Sequence, residues 1–285
     1  MISFSCADFT FPTLPHEKTL QLIKMMGFES TDVGLFQDRS HLQPNDQLKE
    51  PEKNGKKLFT AAKNAGLIVD DIFLQSSLDF REFAINHPSK AIRDRERDGY
   101  RRIIDFTLAS GAKHFTGLPG TIFDKDSLEL AAQELKWRVD YANEHGVVYS
   151  VEPSHDSVMS SPKDTLDMLA KVPGLTLALD YSHYIGHGYK NEEIHPLLNH
   201  ASLLHARGAA NGRIQTAFED NEIDYDAIVD HLLKIGYDGV ICLEFCYLSW
   251  ENLNRVDTIS ETLKLRQYIA DILGIEVLRT DYACG

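Results

Sequence analysis

G-V-V-Y-S-V-E-P-S-H, residues 146–155, is the stretch whose reading decides the fold. After Gly146, β-branched and aromatic side chains run to Val151 and read as a strand entering a core. The strand meets a carboxylate, Glu152, with Pro153 directly behind it. The pattern then recurs. L-T-L-A-L-D (175–180) ends in Asp180, A-S-L-L-H-A (201–206) carries His205 near its end, and V-I-C-L-E ends in Glu244.

Working outward, short apolar runs predict strands at 2–8, 30–36, 67–74, 112–117, 147–152, 175–180, 201–206 and 239–244. Segments of helical period fall between them. Residues 17–26 stop at Gly27. Residues 125–145 place Leu128, Ala131, Ala132, Leu135, Val139 and Ala142 on one face and stop at Gly146. Residues 163–171 follow Ser161-Pro162, residues 225–235 stop at Gly236, and residues 257–273 close the series. Repetition of strand and helix predicts an α/β fold, a closed (β/α)8 TIM barrel forming a single domain over residues 1–285. The competing open sheet would carry a phosphate-binding glycine loop after its first strand. Here none follows, and Gly117-Leu-Pro-Gly120 is only a turn. Residues 37–56 and 75–99 read as long rim loops, the second with a short helix over the barrel mouth.

The 285 residues are 43% hydrophobic and carry a formal net charge of −14. That sign argues against nucleic acid and anionic membranes as partners. No run of 18 apolar residues occurs, so no membrane span is expected. The N-terminus is a poor signal peptide, and Cys6, Cys242, Cys246 and Cys284 form no zinc-like pairing. The expectation is a reduced, cytoplasmic protein.

In a barrel all strand C-termini point to one face, where active sites form. Glu152, Asp180, His205 and Glu244 therefore aim three carboxylates and an imidazole at one centre. Carboxylates so gathered repel each other, and one divalent cation relieves the repulsion. The donor set suits Mn²⁺, Mg²⁺, Co²⁺ or Zn²⁺. His183, three residues past Asp180, is expected to bind substrate. His155 and His187 carry no assigned role, and His114 faces either the barrel interior or the helices. In H-A-R-G-A-A-N-G-R-I-Q (205–215), period two keeps Arg207 on the side of His205, where it can hold a carboxylate or phosphate. Arg213 and Gln215 follow a glycine turn and are further candidates for substrate contact.

With the four ligands in this order and the D-x-x-H of Asp180–His183, the chain resembles the xylose-isomerase-like TIM-barrel superfamily. That group includes sugar-phosphate isomerases and epimerases, ketose 3-epimerases, inosose dehydratases and endonuclease IV. The resemblance implies that Glu152 and Glu244 are catalytic as well as metal-binding. One would remove a proton alpha to a carbonyl and the other would return it, through an enediolate. Asp180 and His205 would be ligands only, and His183 would match the substrate-binding histidine. The implied activity is a metal-dependent isomerase or epimerase acting on a sugar, sugar acid or sugar phosphate, with a homodimer or homotetramer as the implied assembly. The ketose 3-epimerases tend to carry a Glu-Asn/Cys-Arg stretch after the metal histidine, and this chain departs from it with Arg207. That departure favours an acidic substrate and motivates the alternative, a metal-dependent lyase (decarboxylase or dehydratase) of a keto sugar acid or cyclitol. A DNA-repair role would need a basic crescent around the mouth, which the scattered Lys and Arg do not supply.

Overall fold

The computed structural model describes residues 1–278; Cys284 lies outside them. Eight strands form one closed parallel barrel: β1 (Ser3–Ala7), β2 (Ser30–Phe36), β3 (Ile68–Gln75), β4 (His114–Gly117), β5 (Val148–Val151), β6 (Thr176–Asp180), β7 (Ala201–Ala206) and β8 (Val240–Leu243). The ring closes where β8 pairs with β1, Ser3 opposite Val240 and Cys6 opposite Leu243. Each expected strand is present, with its ends shifted by a residue or two. No helix among the described residues is long and apolar enough to cross a membrane.

Period two sorts the side chains. Tyr149 and Val151, Leu177 and Leu179, Leu204 and Ala206, Ile241 and Leu243 belong to the main hydrophobic core that the helices also build. The alternate residues turn the other way. Ala178, Leu203 and Cys242 join Phe9, Phe36 and Phe73 in a second, smaller cluster inside the barrel. Ser150, Asp180, His205 and Glu244 fall in the same alternation. The carboxylate after the hydrophobic strand is thus the last inward position of β5, where the chain leaves the barrel wall.

Ten α-helices surround the ring: α1 (His16–Met25), α2 (Pro44–Gln47), α3 (Pro51–Ala65), α4 (Lys90–Ser110), α5 (Ser127–Glu144), α6 (Pro162–Lys171), α7 (Tyr181–Ile185), α8 (Asn191–Ile194), α9 (Tyr225–Ile235) and α10 (Thr258–Leu273) among the described residues. The rim-loop reading of 37–56 and 75–99 is corrected by α3 and α4. The first begins at Pro51, a favoured first helical position, and ends at Gly66 in the left-handed conformation. The second spans 21 residues and absorbs what read as loop from Lys90 onward. Its charged first half hid the helical period. The arginines there lie on aromatic faces, Arg95 3.9 Å from the Phe83 ring centre and Arg97 4.9 Å from that of Trp137.

Candidate active site

His205 sits at the middle of the barrel mouth, in register with Asp180 of β6 and Cys242 of β8. Its Nδ1 lies 2.7 Å from Glu152 Oε1 and 3.3 Å from Glu244 Oε2. Its Nε2 lies 3.0 Å from Asp32 Oδ2, on the opposite wall. Phe73 backs the ring with centroids 5.7 Å apart. Burial lowers the basicity of the imidazole. The Glu244 charge and hydrogen bonding with Asp32 and Glu152 outweigh it, so His205 titrates well above the ordinary histidine range.

The two glutamates differ in setting. Burial raises the Glu152 carboxyl, but the close His183 ring and the hydrogen-bonded His205 prevail and hold it below the usual range. Burial raises Glu244 too, and there it wins over the nearby Arg207 and His205. Glu244 Oε2 is buried and accepts no hydrogen bond among the described residues.

Asp180 ends β6 and caps α7. Its carboxylate accepts from the Ser182 backbone N–H at 2.8 Å and from Ser182 Oγ at 2.7 Å. It also forms a tight ion pair with Arg207 Nη2. Arg207, 3% exposed, donates from Nε to Ser182 Oγ at 2.8 Å and lies 3.8 Å from Glu244 Oε2 through Nη2. Its Nη1 meets only the Cys246 sulfur, at 3.6 Å, among the described residues. His183 stands on α7 with Nε2 3.6 Å from Asp180 Oδ2 and 3.7 Å from Glu152 Oε2.

The four expected ligands do not form one group but fall into two overlapping triads, the second completed by His183, which was expected to bind substrate. Ligand atoms of Glu152, His205 and Glu244 lie within 4.8 Å of one another, and so do those of Glu152, Asp180 and His183. Glu152 belongs to both, and the Arg207 guanidinium occupies the space between Asp180 and Glu244. The carboxylate–imidazole donor set and the orphaned Glu244 oxygen both fit a divalent cation.

Two expected substrate contacts are placed differently. Arg213 is not brought to the cluster: its side chain is 55% exposed and pairs with Asp220 at 3.2 Å. It lies beyond the Gly212 turn of a two-stranded antiparallel ribbon, Gly208–Ala210 with Arg213–Thr216, on the solvent side. Gln215, on the same ribbon, is buried, but its amide is committed to backbone. It donates to the Cys246 carbonyl at 2.9 Å and the Leu253 carbonyl at 2.6 Å, and accepts from the Cys246 N–H at 2.7 Å.

Asp32 escaped the sequence reading. A charged residue inside a buried strand was its available signal. His114 is resolved to the barrel interior, where it joins Asp71 at 2.7 Å to Ser202 of β7 at 2.8 Å. His155 and His187 stack at the rim with ring centres 4.0 Å apart. Both border a pocket of about 70 Å³ whose floor includes Glu152, His183, Arg207 and Glu244.

The family model for the xylose isomerase-like TIM barrel matches residues 20–268. The chain belongs to that family. Solved xylose isomerase-like barrels share its architecture at low identity. An L-ribulose 3-epimerase superposes with a TM-score of 0.73 at 18% identity, covering 96% of this chain and 95% of that one. A xylose isomerase-like TIM barrel protein from Mycobacterium smegmatis, in complex with magnesium, gives 0.72 at 16%, covering 95% and 96%. A probable 3-DHS dehydratase from Bacillus anthracis gives 0.67 at 14%, covering 93% and 98%. No curated protein matches the chain.

Proposed function

We propose that this barrel is a divalent-metal-dependent isomerase or epimerase that moves a proton at the carbon alpha to the carbonyl of a sugar, sugar acid or sugar phosphate. The observation that carries the reading is the convergence of Glu152 and Glu244, from β5 and β8, on one imidazole and one pocket. The names of similar structures, sugar epimerases among them, support the substrate class. Glu152, Asp180, His205 and Glu244 would hold the metal, as Mn²⁺, Mg²⁺, Co²⁺ or Zn²⁺. A bound cation would polarise the carbonyl and lower the cost of the enediolate charge.

The protein's own groups then have distinct tasks. The Glu152 carboxylate stays ionised beside His183 and His205 and is suited to accept the proton. Glu244, pushed the other way, is suited to return one. His183 and Arg207 border the pocket and would hold substrate oxygens. The stacked His155 and His187 border the same pocket at its rim.

The test is exchange of the alpha proton into D₂O across a panel of keto sugars with Mn²⁺ present. Exchange should occur and stop on chelation; no exchange with any member of the panel would sink the reading. Glu152→Gln and Glu244→Gln should each lower the rate by about 10²-fold or more, the usual worth of a positioned acid or base.

A second reading rests on Arg207. Its Nη1 edge carries only a weak sulfur contact and can hold a carboxylate beside the same cluster. A keto sugar acid held there could lose CO₂ or water, which would make the protein a lyase. Arg207→Ala should then abolish turnover of acidic substrates while metal binding persists by calorimetry. Unchanged turnover of an acidic substrate would remove this alternative.

A further inference from the structure

A larger cavity adjoins the candidate site. It measures about 310 Å³, against about 70 Å³ over the carboxylates. Phe80, Leu118, Ser154 and Asp156 border both spaces, so the two adjoin along those residues. The small pocket falls well below the roughly 300–1,000 Å³ typical of ligand sites, and the adjoining space reaches that range. The larger cavity lies between the segment after β3, helix α4 and the outer faces of β4 and β5. Phe83, Tyr100, Phe115 and Tyr149 give it aromatic walls.

Three features of those walls are not explained by folding. Tyr149 is 3% exposed and lines the cavity, and its hydroxyl makes no hydrogen bond among the described residues while keeping some solvent access. Other buried tyrosines are satisfied: Tyr100 donates to the Arg138 carbonyl and Tyr225 to the Arg207 carbonyl. Glu96 borders the same cavity and has neither a hydrogen bond nor an ion pair among the described residues. Burial pushes its carboxyl up to about 7, against the pull of Arg138 and Arg95. The third feature is Gly99, in the interior of α4. Glycine weakens a helix there relative to alanine. Neither a left-handed backbone nor close packing calls for it, since an added Cβ would meet nothing within 4 Å. What its missing side chain does is leave the cavity open.

We propose that this cavity is a subsite for an aromatic substituent carried by the sugar, with a neutral hydroxyl on the ring's far side taken up by Tyr149 and Glu96. The proposal rests on the reading of the carboxylate cluster as the sugar-binding end. Aromatic walls favour a ring in tilted or offset contact. An alkyl substituent would leave both polar groups buried and unpaired, which is unfavourable. A cationic substituent would meet the field of Arg95 and Arg138, and an anionic one would meet Glu96. A phenolic hydroxyl, donor and acceptor together, suits the pair.

The experiment is calorimetric titration of the full chain with Mn²⁺, comparing 4-hydroxyphenyl β-D-glucoside with methyl β-D-glucoside. The aryl glucoside should bind at least about tenfold more tightly. Gly99→Leu fills the cavity and improves the helix, and it should erase that preference. Tyr149→Phe should reduce it severalfold. Equal affinity of the two glucosides on the unmodified chain, or a preference surviving both substitutions, would overturn the proposal. Alpha-proton exchange of unsubstituted keto sugars reads the cluster separately, and Gly99→Leu should leave it unchanged. If exchange fails in the unmodified chain while the aryl preference holds, the subsite stands and the proton-transfer reading falls.

Discussion

Asp32 fixes which way the His205 imidazole faces. It lies on β2, across the barrel from β7, and meets His205 Nε2 at 3.0 Å. With a proton held on that nitrogen, Nδ1 is the one left to face Glu152 and Glu244, where a cation would sit. Asp32→Ala should therefore weaken Mn²⁺ binding by about 10–100-fold, as loss of a partner behind a metal-binding histidine does. Asp32→Asn, which still accepts through its carbonyl, should recover part of it. Titration calorimetry decides, and unaltered affinity in the alanine variant would show that Phe73 and packing alone orient the ring. Much of this cluster could be read from the chain because strand-end position is written in period two. Glu152, Asp180, His205, Glu244 and Arg207 all follow from counting along apolar runs. Arg213 and Gln215 did not come to the cluster as expected, because a ribbon's twist and its backbone partners are not encoded in spacing. Asp32 was missed because its role depends on a residue 173 positions away.

Helices α3 and α4 show how an element can hide from pattern reading and still be tightly specified. Gly55 in α3 lies against α4 so closely that an added Cβ would stand 2.5 Å from the Phe106 carbonyl oxygen and 2.7 Å from Ala109 Cβ. Helix propensity alone says Gly55→Ala should gain about 1 kcal/mol. The contact with a backbone carbonyl says otherwise, and overpacking of this kind costs about 1–3 kcal/mol. We expect net destabilisation, seen as a lower urea midpoint; a raised midpoint would mean that the two helices separate readily. The same closeness explains the lost legibility. The buried face of α3 is only Gly55, Leu58 and Ala62, two of them small, and α4 begins with charged residues and buries its apolar side mainly from Tyr100 onward. By contrast α9 ends at the left-handed Gly236, the stop that made its boundary readable from sequence.

Across the whole molecule, the barrel interior below the mouth adds a pH dependence. Asp70 of β3 accepts from Ser30 Oγ at 2.9 Å, and burial pushes its carboxyl up to about 6. An unfolded aspartate titrates near 3.9. Between those values the folded chain holds a proton that the unfolded chain has lost. Its contribution to stability is therefore present below about pH 4 and disappears as pH rises through about 6. Asp70→Asn cannot ionise and should gain on the unmodified chain across that window by ~1–3 kcal/mol, the lower part applying because the residue is only half-buried. Urea midpoints at about pH 4 and about pH 7 give the comparison; a pH-independent difference between the two proteins would refute it.

The contacts through the barrel centre also divide the chain into two unequal parties. Glu152, Asp180, His205 and Glu244 all come from β5 to β8, while Asp32, Asp71 and His114 come from β2 to β4. Polar ties cross that divide, among them His205 to Asp32 and His114 to Ser202. The second half of the chain thus carries the candidate ligands, and the first half supplies the carboxylate behind His205. A half-barrel of β5 to β8 would own every candidate ligand and still lack the carboxylate that tells its histidine which way to point.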